Sequence, residues 1–245
     1  KLDYPLFSDE GVDKFDKVDL RCAQNYSWSF ANDPANAMCR EVWARDSQGL
    51  TGQPYTRSRY YHLYINGHYW GVFMTQERAE AAYAESYFGG EREEYDVIKA
   101  VGDGDYGIEA TDGTMDVWQA FWDLAKTGFS THLNYYQALG LNPDGSRNPA
   151  YPVFVDVDNL ADYMIMVFFD GDRDAPISNF LGNNKPNNWY GIRNRYGEEG
   201  FRYFVHDAEH SMSRGLTDRT GPFPAGDQFQ YSNPQWMQQE LMAHP

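Results

Sequence analysis

The stretch Asp170–Met212 constrains this chain more than any other. Asp170, Asp172 and Asp174 fall close together, the asparagine-rich run Asn183-Asn-Lys-Pro-Asn-Asn188 follows, and the apolar segment Phe201–Val205 leads into His206-Asp-Ala-Glu-His210. A second apolar run, Tyr163–Phe169, enters the stretch from the other side. Both runs predict buried elements, and acidic groups placed where buried elements end can converge on one point. Carboxylate and amide oxygens at such a point suit a hard cation such as Mg²⁺. Phosphoryl transfer uses this arrangement: a base carboxylate for the attacking hydroxyl, and an Asn and an Asp on metal. Turns are also rich in Asp and Asn because those residues tolerate left-handed backbone, so composition alone leaves both readings open.

The 245 residues, 42% of them hydrophobic, suffice for one large domain or two lobes. A formal net charge of -16 argues against nucleic acid as a partner, since phosphates would be repelled. No apolar run approaches the roughly 18 residues of a spanning helix. The two cysteines, Cys22 and Cys39, are too few for a disulfide scaffold and are open to pairing or to staying free. The sequence starts at Lys1 without a leader and stops as a helix is under way, which reads as a piece of a longer chain.

In chain order, Asp16–Arg21 predicts a short edge strand. Asn32-Asp-Pro34 precedes a helix over about 35–48, with Met38, Val42 and Trp43 inward and Arg40, Arg45 and Asp46 on solvated faces. Arg59–Ile65 and His68–Met74 flank Asn66-Gly67, the turn that favours positive φ at both central positions, and so predict a hairpin. A helix over about 79–88 stops at Gly89-Gly90, and Tyr95–Ala100 reads as a buried strand carrying Lys99. A lysine there is costly unless its ammonium reaches water or an anion. Gly102–Gly107 reads as a turn in which Asp103 and Asp105 match only part of a calcium loop. An amphipathic helix is predicted over 114–127, a surface loop with a helical turn over 128–152, a helix capped by Asp158 running to Phe169, and a last helix from Asn233-Pro234.

With those elements placed, the chain resembles the CotH kinase family, named for a spore-coat protein and found also in large bacterial surface proteins. The carriers are His62-Leu-Tyr-Ile-Asn-Gly-His-Tyr-Trp-Gly71, Glu77-Arg78, Ser86-Tyr-Phe-Gly89, Tyr95-Asp-Val-Ile-Lys99, Asp174-Ala-Pro176, Asn187-Asn-Trp-Tyr190 and His206-Asp-Ala-Glu-His210. The resemblance implies an α+β, atypical protein-kinase fold in one domain. A β-rich lobe over about 1–110 would carry a hairpin covering the nucleotide, and a mainly helical lobe over about 111–245 would carry the metal and catalytic site. It implies ATP with Mg²⁺ or Mn²⁺, a protein Ser/Thr acceptor, and a bacterial extracellular or cell-surface location.

Carried over by residue, the resemblance makes Asp174 the base, Asp207 a metal ligand and Lys99 the contact to the nucleotide phosphates. Glu77 would orient Lys99. The metal-binding asparagine would be Asn188 by motif, although Asn179 has the D-x-x-x-x-N spacing from Asp174. Glu209 would be a second metal ligand, or would be held by Arg193 as structure; His206 and His210 would stand behind the ligands. His206 replaces the Trp associated with the family, and an insertion separates Pro176 from Asn187. A non-catalytic structural or binding module of a surface protein is the alternative, and nucleotidyl transfer or glutamylation at the same site is a third possibility.

Overall fold

The computed structural model describes residues 1–26, 37–102, 104–212 and 217–245. Six helices and three antiparallel sheets make it an α+β protein among the described residues. The chain opens with the strand pair β1 (Leu2–Asp3) and β2 (Lys14–Phe15), then β3 (Val18–Arg21) and helix α1 (Arg40–Leu50). The hairpin β4 (Ser58–Ile65) and β5 (His68–Glu77) follows, then α2 (Ala81–Phe88), β6 (Tyr95–Ala100) and β7 (Ile108–Asp112). Three helices come next: α3 (Asp116–Thr127), α4 (His132–Ala138) and α5 (Val157–Asp170). The last elements are β8 (Trp189–Asn194), β9 (Arg202–Val205) and α6 (Pro234–Leu241). No helix among the described residues is long and apolar enough to cross a membrane.

The hairpin forms as its sequence predicts: Asn66 and Gly67 take φ of 51° and 81°, and β5 also pairs with β3, in the order β3-β5-β4. β3 is therefore an edge strand, as expected. The larger sheet runs β7-β6-β8-β9, and its two faces are both covered. Tyr95, Val97, Tyr190, Ile192 and Phe204 pack with Ala81, Tyr83 and Ala84 of α2, whereas Ile98, Ala100, Trp189, Tyr203 and Val205 join the main core with α3, α5 and α6. The period-2 alternation of strand side chains sorts these sets. It also puts Lys99, Tyr190 and His206 on the α2 face, with the Tyr190 and His206 rings 4.9 Å apart. The main core centres on Trp118, which touches Phe121, Trp189, Phe201 and Tyr203.

Several expectations are corrected. The four-stranded sheet draws on both sides of residue 110, since β6 pairs with β8. β7, over residues for which no element is expected, pairs with β6. Asp156, not Asp158, caps α5, its carboxylate accepting the Asn159 N–H at 3.0 Å. α1 buries Glu41, Ala44, Arg45 and Gln48 most deeply, while Trp43, expected inward, packs against the main core from a partly buried position. The expected start of that helix at 35–36 lies outside the described residues, as does Asp103. Both cysteines are free and exposed.

Val155 and Phe201 form a parallel bridge that sets β9 against the start of α5. Gly200 makes this possible, since a Cβ there would fall 2.2 Å from the Val155 backbone N, which has no room to retreat. Gly200→Ala is expected to cost about 1–3 kcal/mol by overpacking, whereas Gly102→Ala, facing open space, should unfold near the wild-type midpoint in urea.

Candidate active site

The buried guanidinium of Arg45 organises the site. It donates from Nε to Glu41 Oε1 at 2.7 Å, to the Thr56 hydroxyl, to Gln76 Oε1 at 3.2 Å and to the Glu77 carbonyl at 3.4 Å. Its Nη2 also lies 3.4 Å from His206 Nδ1. A guanidinium cannot give up its proton, so the Nδ1 facing it is the imidazole acceptor. Burial, then the charges of Arg45, Arg21, Lys99 and Arg78, hold His206 well below the usual histidine range. Its low pKa favours the neutral ring. The solvated role expected for Arg45 is thus overturned: its i, i+4 partner Glu41 gives it a buried counter-charge.

Glu41 carries the network to the end of β9. Its Oε1 also accepts the Asp207 backbone N–H at 3.1 Å, and its Oε2 is buried without a hydrogen-bond partner. Asp207 takes left-handed backbone, φ 52° and ψ 42°, directly after the strand. Its carboxylate meets Arg21, from the end of β3, with Nη2 2.5 Å from Oδ1. Burial pushes the Asp207 carboxyl up and Arg21 pulls it back. Two residues on, Glu209 is buried and accepts the Asn25 backbone N–H at 3.2 Å and its side-chain amide at 2.5 Å. Burial, then the Asp207 charge, raises its carboxyl. Arg193 does not hold Glu209; it donates to the Val153 carbonyl at 2.9 Å, because its strand position aims it at the α5 approach.

Asp174 lies past the end of α5, where Gly171 in left-handed conformation turns the chain. The buried Asp172 fixes it by accepting the Asp174 N–H at 2.9 Å. Both Asp174 oxygens have donors: the Ser178 hydroxyl on Oδ1, and the amides of Asn187 (3.1 Å) and Asn188 (3.2 Å) on Oδ2. Asn188 reaches it from left-handed backbone at φ 51°. Of the two candidate asparagines, the structure brings Asn188 to Asp174, while Asn179 Oδ1 faces Arg173 at 3.4 Å. Asp174 and Ser178 border a cavity of about 280 Å³ whose wall includes Asn25, His210, Phe180 and Asn187. Asn25 thus joins the Asp174 side of the site to the Glu209 side.

Lys99 and Glu77 are not brought together. Lys99 pairs across the sheet with Glu109 of β7, Nζ to Oε1 3.3 Å. Glu77 ends β5 in the other sheet, where it accepts the Arg57 N–H (2.8 Å), the Arg57 guanidinium (3.2 Å) and the Tyr87 hydroxyl. Its expected role toward Lys99 is corrected; the partner came from β7, which carries no clear strand pattern. Sequence reasoning also missed Arg21, Asn25, Glu41 and Ser178. The i, i+4 spacing of Glu41 and Arg45 was the one signal available.

Among the described residues, no three His, Cys, Asp or Glu side chains are grouped as a ready metal site. The donor chemistry still fits a hard cation: Asp207 and Glu209 are oxygen donors, and Glu41, whose Oε1 accepts the Asp207 N–H, has its buried Oε2 unpartnered. Fold and site together define an α+β protein with an acidic strand terminus facing a carboxylate–amide cluster. Residues 31–245 match the family described as CotH kinase protein, and the chain belongs to that family. No curated protein matches it.

Two predictions follow from the buried charges. Arg45→Met leaves Glu41 buried without its counter-ion and is expected to cost about 3–5 kcal/mol, against under about 1 kcal/mol for Lys14→Met, which breaks the exposed Lys14–Asp3 pair; chemical denaturation compares them. Burial raises Asp170 to about 7, and its Oδ1 has no partner. The folded state then keeps a proton that the unfolded chain releases near its ordinary carboxylate value, so stability is lost as pH rises from about 4 to about 7. Asp170→Asn should raise the melting temperature by several degrees at pH 8 and match wild type at pH 4.

Proposed function

We propose that this domain is an atypical, metal-dependent protein kinase that transfers the γ-phosphoryl group of ATP to a Ser or Thr of a protein. The observation that carries the reading is the Asp174 carboxylate, fixed by Asp172, Asn187 and Asn188 at the edge of a cavity and already accepting a serine hydroxyl. Ser178 Oγ marks where an acceptor hydroxyl would donate. In this reading the acceptor oxygen attacks the γ-phosphorus, its proton passes to Asp174, and the bond to the β-phosphate oxygen breaks to leave ADP.

Asp207 and Asn188, with Glu209 as a second carboxylate, would hold Mg²⁺ or Mn²⁺, which when bound neutralises phosphate charge. Lys99, on the same sheet face as His206, would reach the nucleotide phosphates in exchange for Glu109. Asn188, whose Nδ2 donates to Asp174, would present its amide oxygen to the cation. The two-lobed kinase arrangement, a nucleotide-covering role for the hairpin, and a bacterial cell-surface or secreted location belong to the same proposal, on the strength of family membership.

One observation favours a second reading. Asp207 and Glu209 are both supplied with protein donors, Arg21 and Asn25, as suits a non-catalytic structural or binding module. A thermal-shift titration with ATP, with and without Mn²⁺, separates the two. Ligand that binds only the native state raises the melting temperature by mass action. The kinase reading predicts a Mn²⁺-dependent rise that Asp207→Ala abolishes and Asp174→Ala retains, with phosphoryl transfer to a protein acceptor at least about 100-fold lower in Asp174→Ala. No rise in the folded wild type would contradict it.

A further inference from the structure

The segment after β3 runs alongside the segment after β9 and meets it residue by residue. Arg21 contacts Asp207, Asn25 contacts Glu209 through both its backbone and its side chain, and the Tyr26 hydroxyl lies 2.8 Å from His210 Nδ1. The first of these contacts is an ion pair with a geometric consequence. Arg21 Nη2 stands 2.5 Å from Asp207 Oδ1, and the two side chains are only 21% and 27% exposed. A divalent cation on the same oxygen would sit about 2.0–2.2 Å away. Guanidinium and cation on that one part-buried oxygen would set two positive charges side by side, and their repulsion favours exchange over sharing.

Removing the guanidinium would leave Asp207 half-buried near Glu41, whose Oε2 has no partner, and near Glu209. The Glu41 charge acts on Asp207 and the Asp207 charge acts on Glu209, so losing the guanidinium favours a replacement positive charge over none. A guanidinium displaced from Asp207 is itself suited to phosphate oxygens, which it binds in a bidentate fork.

Resting on the reading of Asp207 as a metal ligand, we propose that Arg21 is the resident counter-ion of that carboxylate, that a divalent cation binds by exchanging with it, and that the freed guanidinium passes to the nucleotide phosphates. Cation and nucleotide then bind cooperatively, because the nucleotide offers Arg21 a new partner when the cation takes its old one. By linkage the effect is reciprocal.

The test is Mn²⁺ binding to the chain, read from the electron paramagnetic resonance of free Mn²⁺, with and without ADP. Wild type should bind Mn²⁺ weakly alone and more tightly with ADP. Arg21→Ala should bind Mn²⁺ alone about 10-fold more tightly, and ADP should then add less than it adds to wild type. Arg21→Gln, which keeps much of the side-chain bulk without the charge, should behave in the same way and decides the matter if the alanine variant does not fold. Mn²⁺ affinity equal to or below wild type in both variants, with binding abolished in Asp207→Ala, would overturn the exchange and leave Asp207 as the ligand. Mn²⁺ binding unchanged in Asp207→Ala would overturn the assignment of Asp207 itself, and the exchange with it.

Discussion

Everything around the acidic terminus of β9 depends on the buried pair of Arg45 and Glu41. A guanidinium and a carboxylate removed from water are costly to bury, and here the cost is offset by their mutual charge and by the acceptors ranged around the guanidinium. Thr56, Gln76, the Glu77 carbonyl and His206 surround Arg45, and the Asp207 N–H shares the Glu41 oxygen. Those partners come from α1, the segment before β4, β5 and the exit of β9. One pair thus ties the three-stranded sheet to the four-stranded sheet and sets the backbone from which Asp207 projects. A hydrophobic pair of similar volume would hold the elements together but would not orient that N–H.

Much of the local fold is legible in the sequence, and the reasons are local. Asn66-Gly67 dictates a turn, the apolar alternation of Tyr95–Ala100 dictates a strand, Gly89-Gly90 halts a helix, and Asn233-Pro234 starts one. Each signal lies within a few residues of its effect. What was not legible depends on partners far away in the chain. β7 becomes a strand because β6 offers it an edge, not because Ile108–Asp112 is apolar. α1 buries its charged face because Gln76, Thr56 and the β9 exit await it, which no window of α1 discloses.

The candidate site divides along the same line. Asp174, Asp207 and Glu209 are prominent in the sequence because several acidic residues follow apolar runs, and Asn188 is separated from Asn179 by the Asn-Trp-Tyr motif. Their donors were invisible. Arg21, Asn25 and Ser178 are ordinary residues until the chain places them against carboxylates. Glu77 shows the converse: it is prominent by motif, yet its position at the end of β5 commits it to Arg57 and Tyr87, and Lys99 finds Glu109 instead.

The most direct measurement is a crystal structure with Mn²⁺ and a non-hydrolysable ATP analogue, located by Mn anomalous scattering. The account predicts an anomalous peak within coordination distance of Asp207, the triphosphate between Lys99 and Arg21, and the Arg21–Asp207 contact broken. A nucleotide bound elsewhere, or no Mn²⁺ at Asp207 with the Arg21 ion pair intact, would contradict it.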